Sequence, residues 1–176
     1  MSENRRAPMA KYVLLMFILL AGCNTDLYTK HLVSNNLEPG ESIPLTGGYL
    51  ELKHAQNKSA SFGMLGNIDL NIRRPVLIAL QVTGSLVVLA LVFVRRQQTF
   101  GQLLPYVLIL AGAIGNAVDR VRLGYVVDFI YVHIKHHFHW PIFNVADILI
   151  TIGMLLLIQK AIVSQRSGLR TGGFAD

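Results

Sequence analysis

The sequence has little charge and almost no cysteine. Only 15% of its 176 residues are charged, whereas about a quarter are charged in soluble globular domains. The apolar share is 52% and the mean hydropathy is +0.46, which excludes an intrinsically disordered chain. A single cysteine, Cys23, excludes a disulfide framework and a cysteine-rich zinc module. The length allows one domain, or one small helical bundle in a bilayer.

Long stretches without any charge indicate a membrane protein. Residues 75–94 and 97–118 form charge-free runs of 20 and 22 residues, and an apolar helix needs about 20 residues to cross the hydrocarbon core. Residues 12–29 and 141–159 are similar runs that each carry one acid. The sequence therefore predicts an all-α membrane protein, a four-transmembrane-helix bundle that forms a single domain over residues 1–176.

The distribution of Lys and Arg favours a cytoplasmic N-terminus. In that orientation the inner and outer segments hold eight Lys and Arg residues each. The inner segments total only 35 residues and the outer segments total 67, so the inner density is nearly double. The positive-inside rule then predicts that both termini are cytoplasmic. Residues 30–74 and 119–140 would be the extracytoplasmic segments.

The first of these segments contains the pattern of a β-strand. Residues 48–53 alternate between apolar and polar side chains, and the turn pairs Pro39-Gly40 and Gly47-Gly48 lie in the same segment. The sequence thus predicts a small extracytoplasmic β element between spans one and two, lying on the membrane surface. Residues 119–140 are predicted to be a shorter link between spans three and four.

Four aspartates fall near one end of the predicted bundle. Asp26 lies near the outer end of span one, Asp119 follows span three, and Asp128 lies in the segment after it. Asp147 comes six residues after Pro141, which is about 9 Å along a helix that begins there. Ionisable groups at membrane depth are costly and usually mark function or a specific pairing. The direction of the spans therefore predicts that all four acids gather near one face of the bilayer.

Two of these acids have a simple structural interpretation. Asp26 lies four residues before Lys30, which is the favourable order for an ion pair on a helix. Asp119 is followed directly by Arg120, whose charge it could neutralise. A stabilising role is at least as good an explanation for these two acids as a chemical one.

Asp128 and Asp147 are the better candidates for chemistry because neither has an obvious counter-ion. Asp128 lies inside an apolar run, and Asp147 has no basic residue within a helical turn. When two carboxyls meet in a low-dielectric place, one keeps its proton and the other stays ionised. Such a pair can hold a water, with the carboxylate as general base and the protonated partner polarising a scissile carbonyl. Asn144, three residues before Asp147, is expected on the same helix face, where it could orient an acid or bind substrate.

Three short motifs resemble those of a known family. They are Gly115-Asn-Ala-Val-Asp-Arg120, Gly124-Tyr-Val-Val-Asp-Phe129 and Phe143-Asn-Val-Ala-Asp147. In this order, and with four spans, they resemble signal peptidase II, the bacterial lipoprotein (prolipoprotein) signal peptidase. Two weaker blocks extend the resemblance over most of residues 26–153: Asp26-Leu-Tyr-Thr-Lys30 and Asn57-Lys-Ser-Ala-Ser-Phe-Gly63.

The resemblance implies an intramembrane aspartyl endopeptidase of the bacterial inner membrane, with its active site near the periplasmic face. Its substrates would be prolipoproteins with a diacylglyceryl-modified cysteine, cut just before that cysteine, and membrane lipids would be its other partners. It implies no cofactor and no metal. The family's catalytic aspartates fall on Asp128 and Asp147. Its supporting or substrate-binding residues fall on Asn116, Asp119, Arg120, Asn144, Asn57 and Asp26.

Two positions depart from the family pattern. Leu27 stands where the first block usually has Gln, and Ser59 stands where the asparagine block usually has Gly. Neither position lies in the motifs that contain Asp128 and Asp147. The departures therefore bear on the supporting residues more than on the proposed chemistry.

Two other functions fit parts of the sequence. Residues 20–23, Leu-Ala-Gly-Cys, end an apolar run after a basic N-terminus, which is the pattern of a lipobox, so the chain could itself be a lipoprotein lipidated at Cys23. Cleavage there would remove most of span one, and a buried cysteine near a helix end is the simpler explanation. An ion- or proton-coupled small membrane carrier would also use intramembrane acids. Such relays usually include acids near the midplane, where spans two and three have none.

Metal binding and nucleic-acid binding are both disfavoured. Four histidines crowd one segment: His133, His136, His137 and His139. Histidine is a common zinc ligand, but no cysteine or acid lies between residues 135 and 140. The isoelectric point is near 9.7, yet the basic residues flank the spans at several points and form no single stripe. Topology and lipid headgroups explain them better than nucleic acid does.

Overall fold

Four long helices form the framework of the protein. The computed structural model describes residues 9–59, 69–134 and 138–171. The helices are α1 (Met9–Asn36), α2 (Leu70–Val94), α3 (Phe100–Arg122) and α4 (Val145–Thr171). Each contains a stretch that is long and apolar enough to cross a membrane. The predicted four helices of membrane-spanning length and hydropathy are therefore confirmed.

Helix α3 lies at the centre of the bundle. It packs against α1, α2 and α4. In its most apolar window 50% of the residues are buried, whereas the value is 11% or less in the other three helices. Its window is also less hydropathic than that of α2, 1.5 against 2.5. This follows from its position, because a helix surrounded by protein can carry Gly, Asn and Asp residues that would be costly against lipid.

Helices α3 and α4 pack closely at two glycines. A methyl group added to Gly112 would overlap the carbonyl oxygen of Ala146 and would lie 2.8 Å from Ile150 Cγ1. A methyl group added to Gly153 would lie only 2.7 Å from the Pro105 carbonyl oxygen. Small residues allow two helix backbones to approach each other in a membrane, where van der Waals packing is the main attraction between helices. These glycines therefore fix the separation of α3 and α4.

Helix α1 is longer than the span predicted for residues 12–29. It continues past that range because its last turns stay buried against other elements of the fold. One hydrophobic cluster joins the end of α1 to the β-sheet: Val33, Leu37, Val127 and Phe129. The sheet thus rests on the end of this helix and not on a flexible connection.

The other three helices begin at capping residues and not at the edges of charge-free runs. The Asp69 carboxylate accepts a hydrogen bond from the Asn71 amide before α2, and the Thr99 amide donates to the Gln102 side chain at the start of α3. Asn144 fills the same position before α4. Each cap satisfies backbone or side-chain groups that the first helical turn leaves free. The spans predicted to begin at about residues 75, 97 and 141 therefore correspond to helices that begin at Leu70, Phe100 and Val145.

A four-stranded antiparallel sheet completes the fold. Its strands follow in the order β1 (Ser42–Thr46), β2 (Leu50–Asn57), β3 (Val126–Ile134) and β4 (Phe138–His139). The strand predicted at residues 48–53 is present as β2. The β element predicted between spans one and two corresponds to β1 and β2, whereas β3 and β4 come from the segment after α3, which was predicted only as a link.

Strand β3 escaped prediction because it lacks a polar face. Its first four residues, 126–129, are all buried, so apolar and polar side chains do not alternate there. A strand covered on both sides resembles a short apolar run. The backbone of Phe143, just before α4, also bonds to Ile130 of this strand. That pairing explains why α4 begins later than predicted.

Cys23, the residue of the lipobox-like pattern, lies within α1. Its Sγ donates a hydrogen bond of 3.4 Å to the Ala111 carbonyl oxygen of α3. A methyl group added to the preceding Gly22 would lie 3.1 Å from both Ala111 Cβ and Leu149 Cδ1. The half-buried thiol thus contributes to helix packing, although it lies inside the helix and not near its end as expected.

We expect Gly112→Ala to destabilise the bundle by about 1–3 kcal/mol, because the added methyl group has to push the α4 backbone away. Gly84 of α2 is the matched control, since a methyl group added there meets nothing within 4 Å. Gly84→Ala should leave stability unchanged or raise it by up to about 1 kcal/mol through helix propensity. Thermal unfolding in detergent measures both, and equal midpoints for the two variants would contradict the packing described here.

Candidate active site

A cavity of about 520 Å³ lies where the sheet meets three of the helices. Its polar lining comes from β2, α2, α3, β3 and α4: Asn57, Gln81, Asn116, Arg120, Asp128 and Asp147. The rest of the wall is mostly apolar and comes from Val126, from residues 140–143 and from the first turns of α4, which also contribute Thr151. Five of the eight residues predicted for the site therefore lie around one space, although they are up to 90 positions apart in sequence.

Asp128 is held in the cavity wall by two amide groups. It lies on β3, opposite Ala55 of β2, and is only 3% exposed. Asn57 Nδ2 donates to its Oδ2 at 2.9 Å, and Asn144 Nδ2 donates to its Oδ1 at 2.7 Å. Burial raises the pKa of the Asp128 carboxyl from its ordinary value to about 7, since the two amide donors offset only part of the lost hydration. The nearby Asp147 charge raises it further.

Asp147 lies in the first turn of α4 and forms a reciprocal cap with Asn144. The Asp147 amide donates to Asn144 Oδ1 at 3.0 Å, and the Asn144 amide donates to Asp147 Oδ2 at 3.2 Å. Asn116 Nδ2 donates to the other carboxylate oxygen at 3.0 Å. The prediction that Asn144 shares a helix face with Asp147 was wrong, because Asn144 lies before the helix, where its side chain caps it.

Asn144 connects the two candidate acids. Its side chain is fully buried, with an exposed fraction of 0%. It touches Asp128 through Nδ2 and Asp147 through Oδ1 and its backbone amide. Its Nδ2 also lies 3.1 Å from Asn116 Oδ1. One side chain therefore sets the relative position of the strand and the helix that carry Asp128 and Asp147.

A buried lysine lies behind this polar cluster. Lys30 Nζ lies 2.7 Å from Asp26 Oδ2, 3.2 Å from Asp119 Oδ2 and 2.9 Å from Asn116 Oδ1. The predicted ion pair between Asp26 and Lys30 is confirmed. Because Asn116 Oδ1 accepts from Lys30 and Asn144, its Nδ2 is left to face Asp147.

Asp119 and Asp26 hold the framework and lie outside the cavity lining. Asp119 Oδ2 accepts from the Val127 amide at 3.0 Å and from Lys30, whereas its neighbour Arg120 interacts with it electrostatically without a direct ion pair. Asp26 Oδ1 accepts from the Ala146 amide at 2.8 Å, and its side chain is fully buried. Asp26 therefore anchors the start of α4 from behind the cavity.

Arg120 brings a positive charge to the cavity. Its guanidinium donates to Gln81 Oε1 at 3.1 Å and is close enough to interact electrostatically with Asp128 and Asp147. Sequence reasoning missed Gln81 and did not place Lys30 in the site. The signal for Gln81 was an amide inside a charge-free run, and the signal for Lys30 was its place in the first family-like block.

The two described members of the histidine segment, His133 and His139, do not line this cavity. His133 Nε2 lies 2.9 Å from Glu51 Oε1, and the rings of His133, Tyr131 and His139 stack on one another in pairs. The other two members, at positions 136 and 137, lie outside the described residues. Within residues 9–59, 69–134 and 138–171, no group of three His, Cys, Asp or Glu side chains is arranged to hold a metal ion.

Known proteins are similar to this sequence over most of its length. Residues 17–163 match the protein family described as Signal peptidase (SPase) II. The lipoprotein signal peptidase of Syntrophus aciditrophicus (strain SB) is 34% identical over 158 residues, which cover 89% of this chain and 98% of the relative. The lipoprotein signal peptidase of Geobacter metallireducens (strain ATCC 53774 / DSM 7210 / GS-15) is 42% identical over 144 residues, covering 80% and 85%.

The fold is also similar to a solved structure. A bacterial membrane enzyme solved by the in meso method at 2.3 Å resolution superposes with a TM-score of 0.73. It is 28% identical in sequence, and the match covers 88% of this chain and 90% of that one. The four helices and the sheet therefore form an arrangement that is known from a membrane enzyme.

We expect Lys30→Met to destabilise the protein strongly, by about 3–5 kcal/mol, because it leaves two buried carboxylates without their cation. Adding Asp26→Asn should restore part of the loss, since it removes one of those charges. Lys58→Met is the control, because Lys58 is exposed. Thermal unfolding in detergent provides the measurement, and a Lys30→Met protein as stable as wild type would show that Lys30 does not hold the cluster together.

Proposed function

Because the chain belongs to the signal peptidase II family, we propose that it is an aspartic endopeptidase that removes signal peptides from prolipoproteins. One observation carries the mechanism. Asn144 joins Asp128 and Asp147 at the wall of a single cavity. Two carboxyls in one low-dielectric site are the arrangement that lets one act as an acid and the other as a base.

Asp128 is the acid of the proposed pair. It is carried by a strand, is almost fully buried, and has a pKa raised to about 7. Its proton would lie beside the scissile carbonyl oxygen and pass to that oxygen as water attacks the carbonyl carbon. The product of this step is a neutral tetrahedral intermediate, so no oxyanion has to be stabilised.

Asp147 is the base of the proposed pair. Its position in the first turn of α4 favours a negative charge, because the partial positive charge of the helix N-terminus lies there. Asn116 and the Asn144 backbone amide donate to its two oxygens, which also stabilises a carboxylate. Asp147 would accept a proton from the attacking water and then pass it to the leaving amine as the C–N bond breaks, while one hydroxyl of the intermediate returns its proton to Asp128.

The supporting residues would hold the pair and the substrate. Asn57 and Asn116 each donate to one acid and line the cavity. Arg120 supplies a cation that a substrate carbonyl or ester oxygen could meet. The apolar remainder of the wall suits the uncharged residues that precede the cut in a signal peptide. We extend the proposal to substrates that carry a diacylglyceryl cysteine, cut just before that residue.

We propose the bacterial inner membrane as the location, with both termini cytoplasmic and the cavity near the outer face. The higher density of Lys and Arg in the predicted inner segments supports this orientation. The hydrogen bonds and ion pairs that link the four aspartates support a common depth for them. A carrier would instead need acids distributed along a path, and α2 has none between Arg74 and Arg95.

Asp128→Asn and Asp147→Asn should each lower kcat for cleavage of a lipidated prolipoprotein by about a hundredfold to ten-thousandfold, the usual contribution of a general acid or base. Asp69→Asn is the matched control, because Asp69 is exposed and Asn caps a helix as well as Asp does. Cleavage of the purified precursor in detergent is followed on gels, after circular dichroism shows that each variant is folded.

Full turnover by either variant would remove that aspartate from the mechanism. The same assay is repeated with a metal chelator, which should leave the rate unchanged because the proposed chemistry uses only carboxyls. Loss of activity in the chelator would favour a role for the histidine segment over the acid pair.

The pH dependence of kcat/KM should fall on the alkaline side as pH rises through about 7, where Asp128 loses the proton that the reaction needs. The hydrogen bond from Asn57 favours the ionised form of Asp128, so Asn57→Leu should raise that pKa and move the alkaline limb to higher pH. A profile that is flat between pH 6 and 9, or a limb that moves to lower pH, would contradict this assignment.

A further inference from the structure

Gln81 is an amide side chain inside helix α2, the most hydropathic of the four spans. It lies eleven residues after Leu70, the first residue of the helix, which is about 16 Å along the axis. An amide without hydrogen-bond partners costs several kcal/mol in hydrocarbon. A polar side chain at this depth therefore needs specific partners, and the structure shows which they are.

Both ends of the Gln81 amide are bonded to α3. Its Nε2 donates to the Ala113 carbonyl oxygen at 3.0 Å, and its Oε1 accepts from Arg120 Nη1 at 3.1 Å. A backbone carbonyl can only accept and a guanidinium can only donate. The orientation of the amide is thus fixed, with the oxygen of Gln81 always directed at Arg120.

This contact decides where the Arg120 guanidinium lies. Arg120 lines the same cavity as Asp128 and Asp147. Among the described residues, however, the ion pairs do not include Arg120, and its hydrogen bond runs to the neutral Gln81 on the neighbouring helix. The cation is therefore near the two acids without being bound to either of them.

Without Gln81, the guanidinium would be free to turn toward the acids. A guanidinium in direct contact with a carboxyl strongly favours the ionised form. It would thereby remove the proton that the pair has to share. We propose that Gln81 is a positioning residue for the reaction: it holds the Arg120 guanidinium against α2 and so prevents an ion pair with Asp128 or Asp147. The inference rests on the proposed function, because it assigns Gln81 a part in that reaction.

Several other groups face the acid pair and stay in place when Gln81 is changed. Lys30 of α1 and Asp119 of α3 carry charges on the far side of Asn116. Asn57 of β2 and Asn144 donate to Asp128. Since these contacts do not involve Gln81, a change in pH dependence on replacing Gln81 reports on Arg120.

Gln81→Leu and Gln81→Glu form the central experiment, because they act in opposite directions on Arg120. Leu removes the acceptor and releases the guanidinium. We expect kcat to fall at least about tenfold and the alkaline limb of kcat/KM to move to lower pH by about one pH unit. Glu keeps an acceptor for Arg120, so this variant should retain more activity than Gln81→Leu, with its alkaline limb at or above that of wild type.

Two further variants separate positioning from packing. Thr83→Leu replaces an exposed polar side chain two residues away on α2 and should leave rate and pH profile unchanged. In an Arg120→Gln background, Gln81→Leu should cause no additional movement of the alkaline limb, because the residue through which it acts is absent. If Gln81→Leu does not fold, Gln81→Asn is used, since its shorter side chain cannot span both partners.

The outcomes are distinct. If Gln81→Leu or Gln81→Asn lowers the rate but does not move the alkaline limb of kcat/KM, the positioning role is overturned and Gln81 is a packing residue. A further movement of the limb in the Arg120→Gln background would overturn it as well. Wild type and Asp147→Asn are measured in the same assay. If wild type cleaves the precursor and Asp147→Asn does not, the proposed function stands whatever the Gln81 variants show.

Discussion

The Lys30 ammonium group joins helix α1 to helix α3 within the buried polar cluster. Its two ion pairs, with Asp26 and Asp119, allow both carboxylates to be buried charged, since a buried carboxylate without a partner would be far too costly. The same two acids also accept hydrogen bonds from backbone amides, Asp26 from Ala146 and Asp119 from Val127. They thereby fix the start of α4 and the start of β3, which are the two elements that bring Asp147 and Asp128 together.

The helices could be predicted from sequence because hydrophobic length is a local property, and the bilayer thickness gives it a fixed scale. Their ends could not, because caps such as Thr99 and Asn144 interrupt or extend the apolar runs. Strand β3 could not be predicted from local sequence either. It is paired with β2, more than 70 positions earlier in the chain, and it is buried on both faces, so no local alternation marks it.

Local sequence singled out Asp128 and Asp147 because an acid in an apolar run, without a neighbouring base, needs an explanation. The family-like motifs then added the supporting asparagines. Sequence adjacency did not identify the ion-pair partner of Asp119, which is Lys30 on another helix and not the adjacent Arg120. Gln81 was missed for the same physical reason, since its importance depends on Arg120, 39 positions later, and its own surroundings in sequence carry no charge.

The charges of the cluster explain why Lys30 is paired directly with acids whereas Arg120 is bonded to a neutral amide. With Asp128 protonated, the four aspartates, Lys30 and Arg120 together carry one net negative charge, and ionising Asp128 would add a second in a place of low dielectric. This arrangement favours a retained proton. Lys30 can pair directly with acids because Asp26 and Asp119 do not take part in the proposed proton transfer. Arg120 faces the two acids of the proposed pair, and an ion pair with either of them would favour a doubly ionised pair that could not carry out the proposed reaction. The hydrogen bond to the neutral Gln81 of α2 avoids this conflict in the proposed mechanism, because it keeps the Arg120 charge at the cavity while leaving the shared proton on the acids.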